Sequence, residues 1–402
     1  MTELNVFDQS MEDLAEKMNC RIEVLADRLK HLKSRQLDFV ARPDEVFAVS
    51  EEGKVVIKYH GSDQKLVIDP NSTQMTQFAN MMGIPTKYLR TMEGAEGFGR
   101  DLIQMNLNIW LEKVAADNKK RTAAKKRNFL LRNYTDDQGG ISGRAFLSSK
   151  FKIIDNYPIF QAIINKVAEV SQKHNKLIIP VTQSLTDNSM YLRFVCPETE
   201  YNTLATKGYK DPETGRGNGG IMTGFVVGNS EIGKGSLFIA PRLVVGACSN
   251  GQIYYNERFS KTHLGANMAE GVIEWSEDTM KKELELILSQ IEDGVKTFLS
   301  RGYLAGKLAE IEELASIQLN DPIHTTKGIC KDLGLTEELT DMSLNFLMRQ
   351  GRNQSPFDVA QALTKVAQKT SPDNQFIIEK EITAKLQKIQ SFDKDKQTFV
   401  AV

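Results

Sequence analysis

The chain has almost no net charge. Its 51 lysines and arginines stand against 52 acids over 402 residues, a formal −1, so the molecule as a whole does not seek polyanions. It has few cysteines: Cys20, Cys196, Cys248 and Cys330 are far apart, and none belongs to a C-x-x-C pair. The five histidines form no ligand-spaced cluster with them. No metal or cofactor is therefore expected, and a reducing, cytoplasmic setting is. No apolar run approaches the ~18 residues needed to span a bilayer, so no membrane partner is expected. The opening "MTELNVFDQSMEDL" has early acids and no apolar core, so it does not read as a signal peptide. Nucleophile elbows, H-E-x-x-H pairs and paired-carboxylate motifs are also missing. A catalytic site would have to be assembled from Ser230, Glu231, Asn250 and His263, whose spacing requires nothing of the kind. The chain is read as a non-enzyme.

What is present is an ordinary globular composition, 41% hydrophobic and 26% charged, in a chain long enough for about two to three domains with cores of their own. Residues 8–35 read as a helix. Met11, Ala15, Met18, Ile22, Leu25, Leu29 and Leu32 recur in 4-3 spacing, which fits either a coiled-coil arm for homo-oligomerisation or an amphipathic helix lying on its own domain. "EVFAVS" and "KVVIKYH" flank "EEG" as a hairpin, and "KLVID" extends it. Two short helices follow, broken at Gly83–Pro85. The spacing of Phe78, Ala79, Gly83, Ile84 and Leu89 echoes a helix-turn-helix, which would need a third packed helix and a polar recognition face; the other reading is a helical pair that closes a small domain.

Charge concentrates between residues 113 and 152. Eleven lysines and arginines face three acids there, a local +8 that the rest of the chain offsets with −9. Six of these cations, Lys119, Lys120, Arg121, Lys125, Lys126 and Arg127, fall within nine residues. "NFLLRNY" and "ISGRAFLS" follow as a hairpin joined through "TDDQGG". Strand alternation puts Arg132 and Tyr134 on one face of the first strand, and Arg144 and Phe146 together on one face of the second. Phosphates need a track of cations and bases need aromatic or guanidinium platforms, so these ten residues are the expected nucleic-acid contacts, with single-stranded DNA favoured. The alternative is a solvated basic face over core aromatics. The Gly-rich, charged stretch 207–220 reads as a mobile loop whose Lys207, Lys210 and Arg216 could add contacts.

"DNYPIFQAIINKVAEVSQ" starts a helix capped by Asp155 or Asn156. Strands then run to about residue 260, and from Ser276 the periodicity is helical, including "SPFDVAQALTKVAQ" with Ser355 as cap, Pro356 in the first turn and Asp358 three residues on. The expected fold class is α+β. Residues 1–35 form an N-terminal helix, 36–272 a hairpin-rich antiparallel core with packed helices, and 273–402 an all-helical region.

"GNSEIGKGS" at 228–236 is one residue short of a phosphate-binding loop. Gly235 stands where the magnesium-binding hydroxyl is needed, and β-branched "SLFIAPRLVV" follows where a helix must begin. It reads as a glycine turn between two strands, in which Asn229, Ser230 and Glu231 satisfy backbone groups.

The ordered set of Arg144, Ala145, Leu147 and Ser148, then Asp155 and Asn156, then Asn229, Ser230, Glu231, Gly233, Gly235 and Ser236, then Cys248, Asn250, Gly251 and His263 resembles the phage/plasmid-like protein family of bacterial mobile elements. The likeness spans about residues 75 to 275. It implies a role in DNA metabolism, recombination or host–element conflict. The hairpin with its basic groove is also similar to that of single-strand annealing proteins. The functional expectation is a nucleic-acid-binding protein of a phage or plasmid that binds or anneals single-stranded DNA as an oligomer. The alternative is a protein-interaction factor, an inhibitor of a host defence or restriction system, with a host or phage protein as partner.

Overall fold

The computed structural model describes residues 11–62, 64–95, 98–122, 125–211, 213, 215, 217, 219–246, 250–261, 277–350 and 354–389. The expectations for Arg216, Cys248 and His263, and for the side chains of Met11, Ala15, Met18 and Asn250, lie outside what it describes.

The chain is α+β, with its antiparallel sheets in the N-terminal part and helices beyond. Residues 36–272 contain two sheets. The first comprises β1 (Gln36–Ala41), β2 (Val46–Glu51), β3 (Lys54–His60), β4 (Lys65–Pro70), β5 (Phe129–Thr135) and β6 (Ile141–Ser148), in the order β1-β5-β6-β4-β3-β2. Neighbours are antiparallel except β4 and β6. The β2–β3 hairpin turns through Glu52 and Gly53, whose φ values of 48° and 82° are those of the two-residue turn that matches strand twist. Helices α2 (Ser72–Met81), α3 (Thr86–Glu93) and α4 (Gly99–Lys119) share a core with this sheet built on Phe78, Ile103, Leu107, Leu131 and Phe146.

The second sheet comprises β7 (Ile179–Leu185), β8 (Met190–Tyr201), β9 (Ile221–Asn229), β10 (Leu237–Val245) and β11 (Asn250–Ile253), in the order β11-β10-β9-β8-β7, with β12 (Phe259–Lys261) also paired to β10. Every residue of β9 and β10 is buried, because helices cover both faces. Phe225 and Val227 point into a core with α1 (Met11–Ser34), α5 (Asn156–His174) and α6 (Glu277–Phe298). Val226 between them points the other way, towards Phe376. Phe376 belongs to α11 (Pro372–Ile389), which also shares a core with α7 (Arg301–Ser316), α8 (Pro322–Asp332), α9 (Glu337–Arg349) and α10 (Pro356–Ala367), closed by Ile221 of β9 and Leu243 of β10.

All twelve residues of α10 are buried. Its start is fixed as its sequence implies: the Asp358 N–H donates to Ser355 Oγ, and the Ser355 N–H donates to the Asp358 carboxylate at 2.9 Å. In α1, Leu25 and Leu29 are core residues packed with α5 and the second sheet, so from Ile22 to Leu29 the 4-3 seam is spent within the chain. Within 207–220, Lys207 and Lys210 are exposed. Tyr209 and Asp211 are buried, and Lys365 of α10 holds the Asp211 carboxylate at 2.8 Å.

Close packing of the second sheet gives one test. A Cβ at Gly224, in the centre of β9, would meet the backbone carbonyl oxygen of Phe194 on β8 well inside contact distance. A carbonyl in a paired strand cannot swing aside. Gly224→Ala is expected to cost about 2–3 kcal/mol in a urea unfolding experiment. A change within experimental error would mean that β8 and β9 sit farther apart than described.

Candidate nucleic-acid interface

The basic cluster lies where α4 hands the chain to β5. The buried stripe of α4 is Ile103, Leu107, Leu111 and Val114, at helical spacing, and it ends on the half-turn that carries Asn118. The Asn118 carboxamide clips the two ends of the following loop together: Nδ2 donates to the Arg127 carbonyl at 2.9 Å and Oδ1 accepts from the Arg127 N–H at 2.8 Å. Lys119, Lys120, Arg121, Lys125, Lys126 and Arg127 are all exposed. Arg121 donates to the Lys125 carbonyl at 3.4 Å, and Arg127 donates to the carbonyl of Met81 at the end of α2 at 3.0 Å. Among the described residues no carboxylate pairs with any of the six.

Sequence reasoning passed over the outer face of α4. Met105, Ile109 and Trp110 are exposed there, and Lys113 Nζ stands 4.2 Å from the centroid of the Trp110 ring. The signal was available: the buried stripe leaves Trp110 off the inward face, one helical turn from a lysine and two to three turns from the basic loop.

The other four expected contacts are elsewhere. Phe146 is fully buried and stacks on Phe78 of α2, ring centroids 4.3 Å apart, so it offers no platform to a base. Arg132 is also fully buried. The expected sharing of a face by Arg144 and Phe146 fails for a definite reason. Pairing between β5 and β6 passes from Arg132↔Ala145 to Asn133↔Gly143, which leaves Arg144 as the extra residue of a β-bulge. Arg144 thereby turns to the side of Tyr134, its guanidinium 4.0 Å from that ring, and pairs with Glu231. Tyr134 is half-buried; burial pushes its hydroxyl pKa above the ordinary tyrosine value, against the pull of Arg144.

These residues belong to a buried network that joins the two sheets. Arg132 donates to Asp38 of β1 at 2.8 Å, to Asp155 at 2.5 Å and to the Glu231 carbonyl at 2.7 Å. Lys33 of α1 closes on Asp155 from the other side. Burial would raise the Asp155 carboxyl, but Arg132 and Lys33 beside it hold it below the usual range. Asp155 occupies the cap position of α5 without making a side-chain cap bond; the first helical N–H, that of Asn156, donates instead to Glu231 at 2.6 Å. A carboxylate from another element thus stands at the positive end of α5.

The "GNSEIGKGS" turn connects β9 to β10 in strand-turn-strand form, with Gly233 at φ 73°. Ser230 does serve the turn, accepting from the Lys234 N–H at 3.1 Å, and it donates to the Asn188 carbonyl at 2.7 Å. Asn229 and Glu231 reach further. Asn229 Nδ2 donates to the Ile154 carbonyl and the Asn156 side chain, at 3.0 and 2.8 Å. Gly235 is exposed. Gly251 is required by a neighbour, since the Arg242 guanidinium fills the space a Cβ would take. A cleft of about 220 Å³ lies over this network, with Arg28, Lys33, Tyr134, Arg144, Asn188 and Glu231 in its wall. The Ser230 hydroxyl is committed to the Asn188 carbonyl. The described residues contain no group of three side chains able to hold a metal ion.

No family model matches the chain, and no match was found among curated proteins or solved structures. No helix among the described residues is long and apolar enough to cross a membrane.

Proposed function

We propose that this protein binds nucleic acid through the cationic loop at the end of α4, with the outer face of α4 as the adjoining surface. One observation carries the reading. Six cations within nine residues are exposed on a loop clipped by Asn118, and no carboxylate among the described residues neutralises them. An unpaired cation track of that density is the feature a phosphate backbone recognises, and it persists although the whole chain is near neutral. Trp110, with Lys113 over its ring, supplies the exposed aromatic that Phe146 does not. The resemblance to the phage/plasmid-like family supports DNA of a mobile element as the ligand. Binding or annealing of a single strand loses the Arg132 and Phe146 contacts on which it was first argued.

A salt series tests the proposal. Lys119, Lys120, Lys125 and Lys126 make no side-chain hydrogen bond or ion pair among the described residues, so their joint replacement by alanine leaves the fold intact. The plot of log affinity against log salt should flatten by up to about 3–4 units in the variant, near the ~0.9 expected per lost phosphate contact. An unchanged slope removes the loop from the interface. Absence of binding to any DNA at low salt ends the proposal and leaves a protein partner as the ligand.

A further inference from the structure

We infer that α2, the turn at Gly83 and α3 form a helix-turn-helix reader that presents α3 to the major groove of duplex DNA, an inference that rests on the nucleic-acid reading above and assigns it a substrate class. Both conditions the sequence pattern left open are met. Phe78, Ala79, Ile84 and Leu89 are all buried, with exposures from 0 to 7%, so the apolar positions of the pattern pack as the motif requires, and Met82 beside them is buried too. Ala79 has no side chain beyond Cβ, which lets the second helix approach the first. Gly83 takes φ 75°, a left-handed conformation that costs an L-residue but not glycine. The N–H groups of Ile84 and Gly83 return to the carbonyls of Ala79 and Asn80 at 2.8 and 3.0 Å, which ends α2 and starts the turn. α4 is the third packed helix: its Asn106 side chain donates to the Tyr88 hydroxyl of α3 at 3.2 Å.

The outward face of α3 is polar and cationic. Lys87, Arg90 and Thr91 are exposed, and neither cation has a carboxylate partner among the described residues. Arg127 binds the last carbonyl of α2, which brings the basic loop beside the turn. The cations thus divide into two sets. Those on the helix have the reach and donor geometry for base edges, Arg90 for the two acceptors of guanine. Those on the loop flank the helix where phosphates would run. A single strand would need stacked aromatics in this position, and α3 offers none on its exposed face.

Selection from a library of randomised DNA duplexes, followed by affinity measurements on the selected duplex, a scrambled duplex and its single strand, tests this. Wild-type protein should select a recurrent sequence and hold it more tightly than the scrambled duplex or the single strand. Lys87→Ala and Arg90→Ala should each lose about 10- to 100-fold of that preference and leave scrambled-duplex affinity within a few-fold. The four-lysine variant should weaken all DNA alike. Thermal melts that superimpose on the wild type establish that the α3 variants are folded. If no sequence is selected, if single strands are preferred, or if the α3 variants discriminate as the wild type does, the inference is overturned. In those cases a flattened salt slope in the four-lysine variant keeps the nucleic-acid reading alive. If wild-type protein binds no DNA at low salt, both fall together.

Discussion

Replacing Glu379 by alanine is expected to cost about 3–5 kcal/mol of stability, the range seen when one partner of a buried ion pair is removed. Glu379 of α11 has no solvent exposure, and neither have Arg193 of β8 and Arg242 of β10, which share its two oxygens at 3.4 and 3.5 Å. Two guanidiniums lean on one carboxylate, and the Gln375 amide donates to the same Glu379 at 2.9 Å. Alanine takes from two buried guanidiniums the carboxylate they share, in an interior where water cannot replace it. Arg193→Met is the informative contrast. It removes a cation whose two terminal nitrogens have no hydrogen-bond partner in the structure, so the loss should stay within about 1–2 kcal/mol. Urea unfolding of both variants checks the ordering. Equal losses would mean that the cluster depends on the Arg193 charge as much as on the carboxylate it leans on.

Arg132→Met should be of similar size at neutral pH, about 3–5 kcal/mol, and should depend on acidity in a defined sense. The variant takes the guanidinium from the Asp38 and Asp155 carboxylates that converge on it, and leaves Asp155 its pairing with Lys33. In the wild type the folded Asp155 carboxyl is held below its unfolded value. Its contribution is therefore present above an unfolded pKa of about 3.9 and is lost as pH falls through the folded value. Without Arg132, Lys33 is left to oppose the burial, so the carboxyl rises from its wild-type position and the variant loses less than the wild type on protonation. The stability difference between the two proteins should be greatest above pH ~5 and should shrink on acidification below about pH 4. Unfolding curves at several pH values read this directly. A difference independent of pH would place the cost in lost packing around the methionine.

Much of the fold was legible because it is written locally. The β2–β3 hairpin follows from "EEG" between alternating strands, the α10 start from Ser355, Pro356 and Asp358, and the β9–β10 turn from its glycines and the strand residues after it. The misplaced candidates share one cause, which is partners remote in sequence. Arg132 was counted in a local excess of positive charge, yet its acids are Asp38 and Asp155, 94 and 23 residues away. Arg144 finds Glu231 87 residues on. Alternation along a strand tells which residues share a face but not whether that face is covered. The bulge at Arg144 breaks even the alternation, and its signal in "ISGRAFLS", the isolated Gly143 beside it, was passed over. The six loop cations escaped this error because the clip at Asn118 closes within nine residues, and among the described residues no distant carboxylate is brought against them.

The trans cap on α5 also sets an order of assembly. Asn156 waits for a carboxylate 75 residues downstream, and Arg132 for a carbonyl 99 residues downstream. During synthesis the first sheet and α5 emerge before the β9–β10 turn exists. Until that turn arrives, a helix start lacks its acceptor and a guanidinium lacks one of its three. Completion of the first half is thereby tied to pairing in the second sheet, and a chain cut short before residue 229 should remain open at the seam between them.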